Sequence, residues 1–510
     1  MSTTGLGHPR GRAAAAGALF ATTAAAALLV LVPGCRCGGG GSDAGVDESG
    51  PICGNASIDP GEECDDGHLC PAATADGLTD GCSNSCLGEA LRSVPVNTIV
   101  ESSQIFPVAA AMPGGYLVVY QDANEKVIDR SEIRAHLFDT TGGPWTGGGP
   151  FAAGYDFGVS AAPGSGAMST PAVSACPDGS FAIAWGDTRP PAGLDGSVRA
   201  RFYAPDSTPA GPDMVISDTF ATGHSFGSGL AGGCLGATHV FVWQENVAPM
   251  PPLPGGSILR ARAFDTSGVP VPTDGAGGAD LPFDLEPNVL AGATQPAVAV
   301  DAVTSSIWIA YSSLPAGQLN DADIFLRRLS SSFGSIGGVE VVEDVGDTSV
   351  EGPQIAVLGS GAGAIVVWER RGSSMEPNLL RARLYDAAAS PHAPVGSVDD
   401  GPFTLDGLFT ADESLPAPAV AALADDTFLI VWVTASEIVV GLNVDADAGG
   451  VGATPLATLS DTAACVFLKG PVVAGGPGGG YLAAWETTAP TVDDTSCGLV
   501  GCGIRAVAIP

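Results

Sequence analysis

Short apolar runs that each end in an aromatic residue recur through most of the chain. Examples are "FAIAW" at 181–185 and "FLIVW" at 428–432, and the seven closing aromatics are Tyr120, Trp185, Trp243, Tyr311, Trp368, Trp432 and Trp485. Another apolar segment and a tight turn with Gly or Asp precede each run. Short segments rich in Val, Ile and aromatics and bounded by turn residues are typical of β-strands. A period of about 60 residues indicates a repeat architecture.

In several copies a third segment carries basic residues at alternate positions. "LLRARLYD" at 379–386 is the clearest example, and "SVRARFY" at 197–203 and "ILRARAFD" at 258–265 repeat it. Side chains alternate between the two faces of a strand, so both arginines of a copy share one face. We predict that their stems pack on the neighbouring repeat and that their guanidinium groups pair with acids. A ligand-binding role for these arginines is the alternative.

A second turn and a last short segment, such as "MVISD" at 214–218, complete each copy. Each copy therefore predicts a four-stranded antiparallel sheet. Seven copies predict an all-β fold, a seven-bladed β-propeller over 91–510. The seventh copy has no fourth segment, and 94–102 precedes the first copy as an unpaired strand. We predict that strand 94–102 completes the seventh blade and closes the ring, which leaves no open sheet edge.

The N-terminal residues 1–34 have the order of a secretory signal. Arg10 and Arg12 precede an unbroken apolar run at 13–32, and "VPGC" follows. This ending resembles the lipobox of bacterial lipoproteins, which implies lipidation of Cys35 and a membrane-tethered protein at the outer membrane or cell surface. An uncleaved anchor is the alternative, because the run approaches the length of a membrane span. Residues 35–52, with their glycine run, then form a flexible tether.

Residues 53–87 form a cysteine-rich segment with few large apolar side chains. Such a segment buries too little surface to fold alone, so disulfides must hold it. The motifs C-G-N, P-G-E-E-C-D-D-G and D-G-C-S-x-x-C resemble the short cysteine-rich repeat of myxobacterial surface proteins and, distantly, the Lin-12/Notch repeat. The resemblance implies a disulfide-rich module, whose cysteines are Cys53, Cys64, Cys82 and Cys86. Cys70 is additional, and Cys37 is its suggested partner.

Acidic residues crowd the same segment, and calcium prefers carboxylate oxygens. The candidate ligands are Glu63, Asp65, Asp66 and Asp80. A calcium site is one interpretation, which the Notch resemblance favours. A solvated acidic loop is the other.

Five further cysteines lie in the repeats. Cys176 and Cys234 stand at the same distance before their tryptophans, so they occupy equivalent places in neighbouring copies. A disulfide between the two copies is one interpretation, and two buried thiols are the other. Cys465, Cys497 and Cys502 lie before and within the last copy and are also disulfide candidates.

Charge and motif content narrow the function. The 20 Lys and Arg against 55 Asp and Glu give a formal charge of −35, which would repel nucleic acid and excludes it as a partner. No histidine pair has metal-binding spacing and no G-x-S-x-G nucleophile motif occurs, so no catalytic residue is predicted.

Acidic residues recur within two positions after the closing aromatics, at Asp122, Asp187, Glu245, Glu369 and Glu486. They begin the loops between second and third strands, which gather on one face of a propeller, here called the loop face. Binding residues concentrate on variable loops over a rigid scaffold. We therefore expect a surface-tethered binding protein, not an enzyme, that presents this face to a protein or carbohydrate ligand. A hydrolase or lyase with loop-face carboxylates is the alternative, and acids that pair with the third-strand arginines are the structural interpretation.

Overall fold

The protein is described by a computed structural model, whose described residues belong to the second of two units of the chain, Leu91–Pro510. They are 94–97, 103–123, 131–145, 156–160, 168–187, 196–217, 224–247, 256–272, 283–285, 294–313, 322–343, 350–370, 378–392, 403–406, 418–424, 426–433, 439–445, 454–458, 467–476, 480–488 and 503–509. The predicted signal peptide, tether and cysteine-rich module lie outside them, with Cys35, the calcium candidates, Cys465, Cys497 and Cys502. Within these ranges we find no helix of the length and apolarity needed to cross a membrane.

The described strands pair antiparallel into seven sheets, which we number in chain order. Sheet 1 holds β2 (Ser103–Met112), β3 (Gly115–Ala123), β4 (Ser131–Asp139) and β5 (Phe157–Gly158). Sheet 2 holds β6 (Met168–Ala175), β7 (Phe181–Asp187), β8 (Ser197–Tyr203) and β9 (Met214–Val215). Sheet 3 holds β10 (His224–Leu235), β11 (Thr238–Val247), β12 (Gly256–Asp265) and β13 (Phe283–Asp284). Sheet 4 holds β14 (Thr294–Asp301), β15 (Ser306–Ser313), β16 (Asp323–Ser330) and β17 (Glu340–Glu343).

Sheet 5 holds β18 (Val350–Val357), β19 (Gly363–Arg370), β20 (Leu379–Asp386), β21 (Pro391–His392) and β22 (Phe403–Asp406). Sheet 6 holds β23 (Ala419–Ala422), β24 (Thr427–Val433), β25 (Val439–Asp445) and β26 (Thr454–Thr458). Sheet 7 holds β27 (Phe467–Gly475), β28 (Tyr481–Thr488), β29 (Gly503–Ile509) and β1 (Val94–Pro95). The predicted all-β class is confirmed: six sheets are four-stranded antiparallel blades in a propeller arrangement, and in sheet 5 both β21 and β22 pair with β20.

The apolar core is divided among the interfaces between successive sheets. Seven clusters of buried side chains each draw on two neighbouring sheets, and one of them joins sheet 7 to sheet 1. Each closing aromatic points at the preceding sheet: Trp185 packs with sheet 1, and Tyr120 packs with sheet 7. Both faces of an inner strand are therefore covered, which explains why these strands read as continuous apolar runs rather than alternating ones.

The first strand of most sheets is interrupted by a β-bulge that its sequence explains. Register shifts fall between Ile105 and Val108 in β2 and at matching places in β6, β14, β18 and β27. A proline stands inside each shift, and its lack of an N–H breaks the ladder there. The residue before it takes a positive φ, 54° at Phe106 for example, while Gly352 and Gly470 fill that place in sheets 5 and 7.

The N-terminal strand pairs with the C-terminal one. Val94 lies opposite Ala506 and Pro95 opposite Arg505, and the Val96 N–H donates to the Ile504 carbonyl at 2.8 Å. This pairing covers the first residues of the predicted strand 94–102, of which 98–102 are outside the described residues.

Candidate functional site

In sheets 1, 2, 3, 5 and 7 the first arginine of the third strand lies opposite the closing aromatic of the second strand. The register pairs are Tyr120 with Arg134, Trp185 with Arg199, Trp243 with Arg260, Trp368 with Arg381 and Trp485 with Arg505. Opposite residues of an antiparallel pair share a face, so these arginines also point at the preceding sheet.

In sheets 2, 3 and 5 the second arginine of the third strand binds the outer edge of the sheet before it. Arg201 donates to the Val159 carbonyl at 2.8 Å, and Arg262 donates to the Ile216 carbonyl at 2.9 Å. Each of these guanidinium groups also lies over an aromatic ring of its own strand, 5.8 Å from the centre of Tyr203 in the case of Arg201. The predicted structural role of the alternating arginines is confirmed.

The five loop-face acids named from the sequence are all buried, with exposures of 8% for Asp122, 1% for Asp187, 1% for Glu245, 6% for Glu369 and 7% for Glu486. In sheets 2 and 3 the acid meets the first arginine. Asp187 Oδ2 lies 2.9 Å from Arg199 Nε, and Glu245 Oε2 lies 3.2 Å from Arg260 Nε. These carboxylates are bound within the protein rather than presented to a partner.

In sheet 5 a different acid serves the first arginine. Arg381 Nη2 lies 3.3 Å from Glu343 Oε1 of sheet 4, and the Trp368 indole N–H donates to the same carboxylate. Glu369 follows its aromatic by one residue rather than two, so it points to the opposite face of its sheet, as Glu486 does in sheet 7. Sequence reasoning missed Glu343, whose only signal is the acid at the end of "VEVVE".

Sheet 1 departs from this pattern. Arg134 Nε lies 2.6 Å from Asp156 Oδ2, the Tyr120 hydroxyl donates to the same oxygen at 2.5 Å, and the Asp156 side chain is fully buried. Burial raises the pKa of Tyr120, and the neighbouring Asp156 carboxylate raises it further. Burial lowers the pKa of Arg134, but the hydrogen bond and charge of Asp156 outweigh it, and the net shift is upward. Asp156 is therefore held by Arg134 and Tyr120 together.

Asp122 lies beside a second carboxylate. Glu132 is its direct neighbour across β3 and β4, whereas the equivalent neighbours of Asp187 and Glu245 are Ser197 and Ile258. The Glu132 side chain is 39% exposed, and its Oε2 lies 3.5 Å from Arg134 Nη1. Two acids that share one face and differ in exposure can divide the roles of proton donor and nucleophile or base.

A chain of amides supports Asp122 from the side of sheet 7. Gln104 Nε2 donates to Asp122 Oδ1 at 3.4 Å, and Asn97 Nδ2 donates to Gln104 Oε1 at 3.2 Å. Asn97 Oδ1 accepts the Ile504 N–H at 2.8 Å. Asp122 and Glu132 thus lie at the contact between the first and last sheets, and sequence reasoning found Asp122 but missed Glu132.

One group of side chains in the described residues has metal-ligand character. Cys176 and Cys234 form a disulfide between sheets 2 and 3, with a Cα–Cα distance of 5.1 Å. His239 lies beside them, and the potential ligand atoms of the three residues lie within 4.8 Å of one another.

No protein-family model and no curated protein matches the chain. Solved structures do resemble it. A protein of unknown function from Dyadobacter fermentans has a TM-score of 0.42 at 11% identity, with 82% of this chain and 97% of that chain covered. An α-L-arabinofuranosidase from Fusarium graminearum has a TM-score of 0.42 at 11% identity, and an α-L-arabinanase from Penicillium chrysogenum has 0.42 at 13%, each with 67% of this chain and 92% of that chain covered.

The expectation that these acids present a binding platform is wrong. The physical reason lies in the acids on which the expectation rested: all five are buried, and those of sheets 2 and 3 are paired with arginines of their own sheet.

Proposed function

We propose that the protein is a glycoside hydrolase whose catalytic pair is Asp122 and Glu132. The observation that carries the proposal is their direct opposition on β3 and β4 at the loop face. Glycosidases use two carboxyl groups, one that protonates the leaving oxygen and one that attacks the sugar or activates water. Side chains directly opposite in an antiparallel pair have Cβ atoms about 4.5–5.5 Å apart, close to the roughly 5–5.5 Å separation of carboxyl groups in retaining enzymes.

The surroundings suit the two roles. Glu132 reaches solvent and can meet a substrate, while Asp122 is held by Gln104. Arg134 is fixed by Asp156 and places one guanidinium nitrogen near Glu132. The sequence hypothesis of a hydrolase with loop-face carboxylates is thus narrowed to one pair of residues.

The proposal extends to architecture and location. The seven sheets form one seven-bladed ring that is closed by strand 94–102. Two observations support closure: β1 pairs with β29, and sheets 7 and 1 share an apolar core. The ring occupies 91–510. It follows a cysteine-rich repeat and is carried on the cell envelope by a lipid on Cys35, as the lipobox-like "VPGC" favours.

The test is hydrolysis of a panel of aryl glycosides by the purified full chain, with pentosides, among them an arabinofuranoside, and hexosides and sialosides as probes. Asp122→Asn and Glu132→Gln should each lower the rate by about 10²–10⁴-fold, the usual contribution of a positioned acid or base. Both variants should keep the folded spectrum.

Asp187→Asn is the matched control, because Asp187 stands at the same place in sheet 2 but lies opposite Ser197 instead of a second acid. It should lower stability and leave the specific activity of the folded protein unchanged. If no glycoside is cleaved, or if the Asp122 and Glu132 variants cleave as fast as the parent, the proposal is wrong.

A further inference from the structure

Three side chains with affinity for soft metals meet at the contact between sheets 2 and 3, on the side opposite the loop face. Cys234 lies directly across from His239 on β10 and β11, and Cys176 follows the end of β6 in the neighbouring sheet. All three are buried, with exposures of 9%, 0% and 2% respectively. Two repeats therefore contribute to one site, at a place where other repeats have no cysteine.

We propose that Cys176, Cys234 and His239 form a binding site for a thiophilic divalent cation such as zinc when the two cysteines are reduced. Two thiolates and one imidazole are a donor set that zinc accepts, with a fourth position left for another ligand. This site is independent of the proposed hydrolase chemistry of Asp122 and Glu132.

One sulfur–nitrogen pair already has the spacing of two ligands of a tetrahedral ion. Cys176 Sγ lies 3.5 Å from His239 Nδ1 and 3.6 Å from His239 Nε2. Bonds of about 2.3 Å to sulfur and about 2.0–2.1 Å to nitrogen at a tetrahedral angle separate the two donors by about 3.6 Å. The two sulfurs must move apart before both can bind one ion. Reduction breaks the bond between them, and rotation of the two cysteine side chains then separates them.

The imidazole is prepared for this role. Ser174 Oγ lies 2.8 Å from His239 Nδ1, which leaves Nε2 for the metal and fixes the ring, as the outer partners of metal-bound histidines do. Asp178 and Asp265 place negative charge near the ring.

The reaction balances with a phosphine as reductant. The phosphine and one water convert the disulfide into two thiols and a phosphine oxide, so two electrons pass to sulfur and the water supplies the oxygen and both protons. The cation then displaces both thiol protons, and the bound site has no net charge.

The test is titration of the full chain with Co²⁺ after phosphine treatment, followed by Zn²⁺. We expect thiolate-to-cobalt charge-transfer and tetrahedral d–d bands, which zinc abolishes. Cys176→Ser/Cys234→Ser and His239→Gln should remove these bands, and Ser174→Ala should weaken binding by roughly 10–100-fold. His136→Gln, a buried histidine in sheet 1, is the matched control and should bind as the parent does.

Equal bands in the double cysteine variant would assign the signal to the other cysteines and overturn the proposal. Circular dichroism is recorded in parallel. A reduced chain that loses its β spectrum and does not recover it on addition of Zn²⁺ would also overturn it.

Discussion

Asp156→Asn should destabilise the protein more than any change of an exposed acid. The Asp156 carboxylate has no exposure and accepts from Arg134 at 2.6 Å and from Tyr120 at 2.5 Å. Removal of one partner from a buried ion pair costs about 3–5 kcal/mol, because the other charge remains buried. Arg134 is 14% exposed and keeps Glu132 at 3.5 Å, so we expect the lower end, about 3 kcal/mol.

Tyr120→Phe removes one hydrogen bond to the same charged acceptor and should cost about 1.5–3 kcal/mol. The two changes share Asp156 as a partner, so the double variant should lose less than the two single losses together. A coupling of about 0.5–3 kcal/mol is typical of residues in one network.

The assay is urea unfolding followed by tryptophan fluorescence and by circular dichroism, whose coincidence shows that unfolding is two-state. Glu132→Gln is the control, because a half-exposed pair is worth about 0–1 kcal/mol. A loss below about 1 kcal/mol for Asp156→Asn, or an equal loss for Glu132→Gln, would refute the reasoning that the buried Asp156 carboxylate neutralises Arg134.

Four further predictions follow from other contacts. The pKa of His239 is about 4 in the folded protein and about 6.5 in the unfolded chain, so the unfolded chain binds the proton first as pH falls. The free energy of unfolding should therefore decrease by about 3 kcal/mol as pH drops from 6.5 to 4. His239→Gln should remove this decrease from the pH profile of urea midpoints. Replacement of both cysteines of the Cys176–Cys234 disulfide, whose separation is 58 residues, should cost about 4 kcal/mol in urea unfolding without reductant, and an unchanged midpoint would contradict a formed bond. Asn97→Ala leaves the Ile504 N–H and the Gln104 amide without their partner and should cost about 1–3 kcal/mol, with loss of hydrogen-exchange protection in β29 first. Gly186→Ala would place a methyl group 2.2 Å from Phe226 Cε1, so its thermal midpoint should fall, and Phe226→Ala in the same chain should restore part of the loss.

The repeat could be predicted from the sequence because its signals are local. Closing aromatics, turn glycines and alternating arginines each report on one strand, and the strand order follows from their order along the chain. The bulges were also within reach, since a proline such as Pro107 in the first strand cannot donate to the ladder. The end pairing of Val94 with Ala506 was suggested by the missing strand of the last copy.

The partners of the acids could not be predicted because they depend on register and on the neighbouring sheet. Asp122 and Glu132 are separated by a loop in the sequence, and only the pairing of β3 with β4 brings them together. Glu343 belongs to sheet 4 but serves Arg381 of sheet 5. An acid one residue after the closing aromatic, such as Glu369, points to the other face of the sheet from an acid two residues after it. The sequence pattern accepted an acid at either position, so it did not distinguish the two orientations.

Basic residues are scarce in this chain, which bears on the chemistry of the Asp122–Glu132 pair. The chain has 20 Lys and Arg against 55 Asp and Glu, and the arginines of the third strands hold neighbouring sheets together. A buried acid that such an arginine meets, as Asp187 meets Arg199, is neutralised and chemically quiet. In sheet 1 Arg134 binds the fully buried Asp156 and lies near Glu132, and Gln104 donates to Asp122 at the loop face. The proposed division of roles therefore rests on geometry: the buried Asp122 carboxylate is bound by an amide, and the Glu132 carboxylate opposite it is open to solvent.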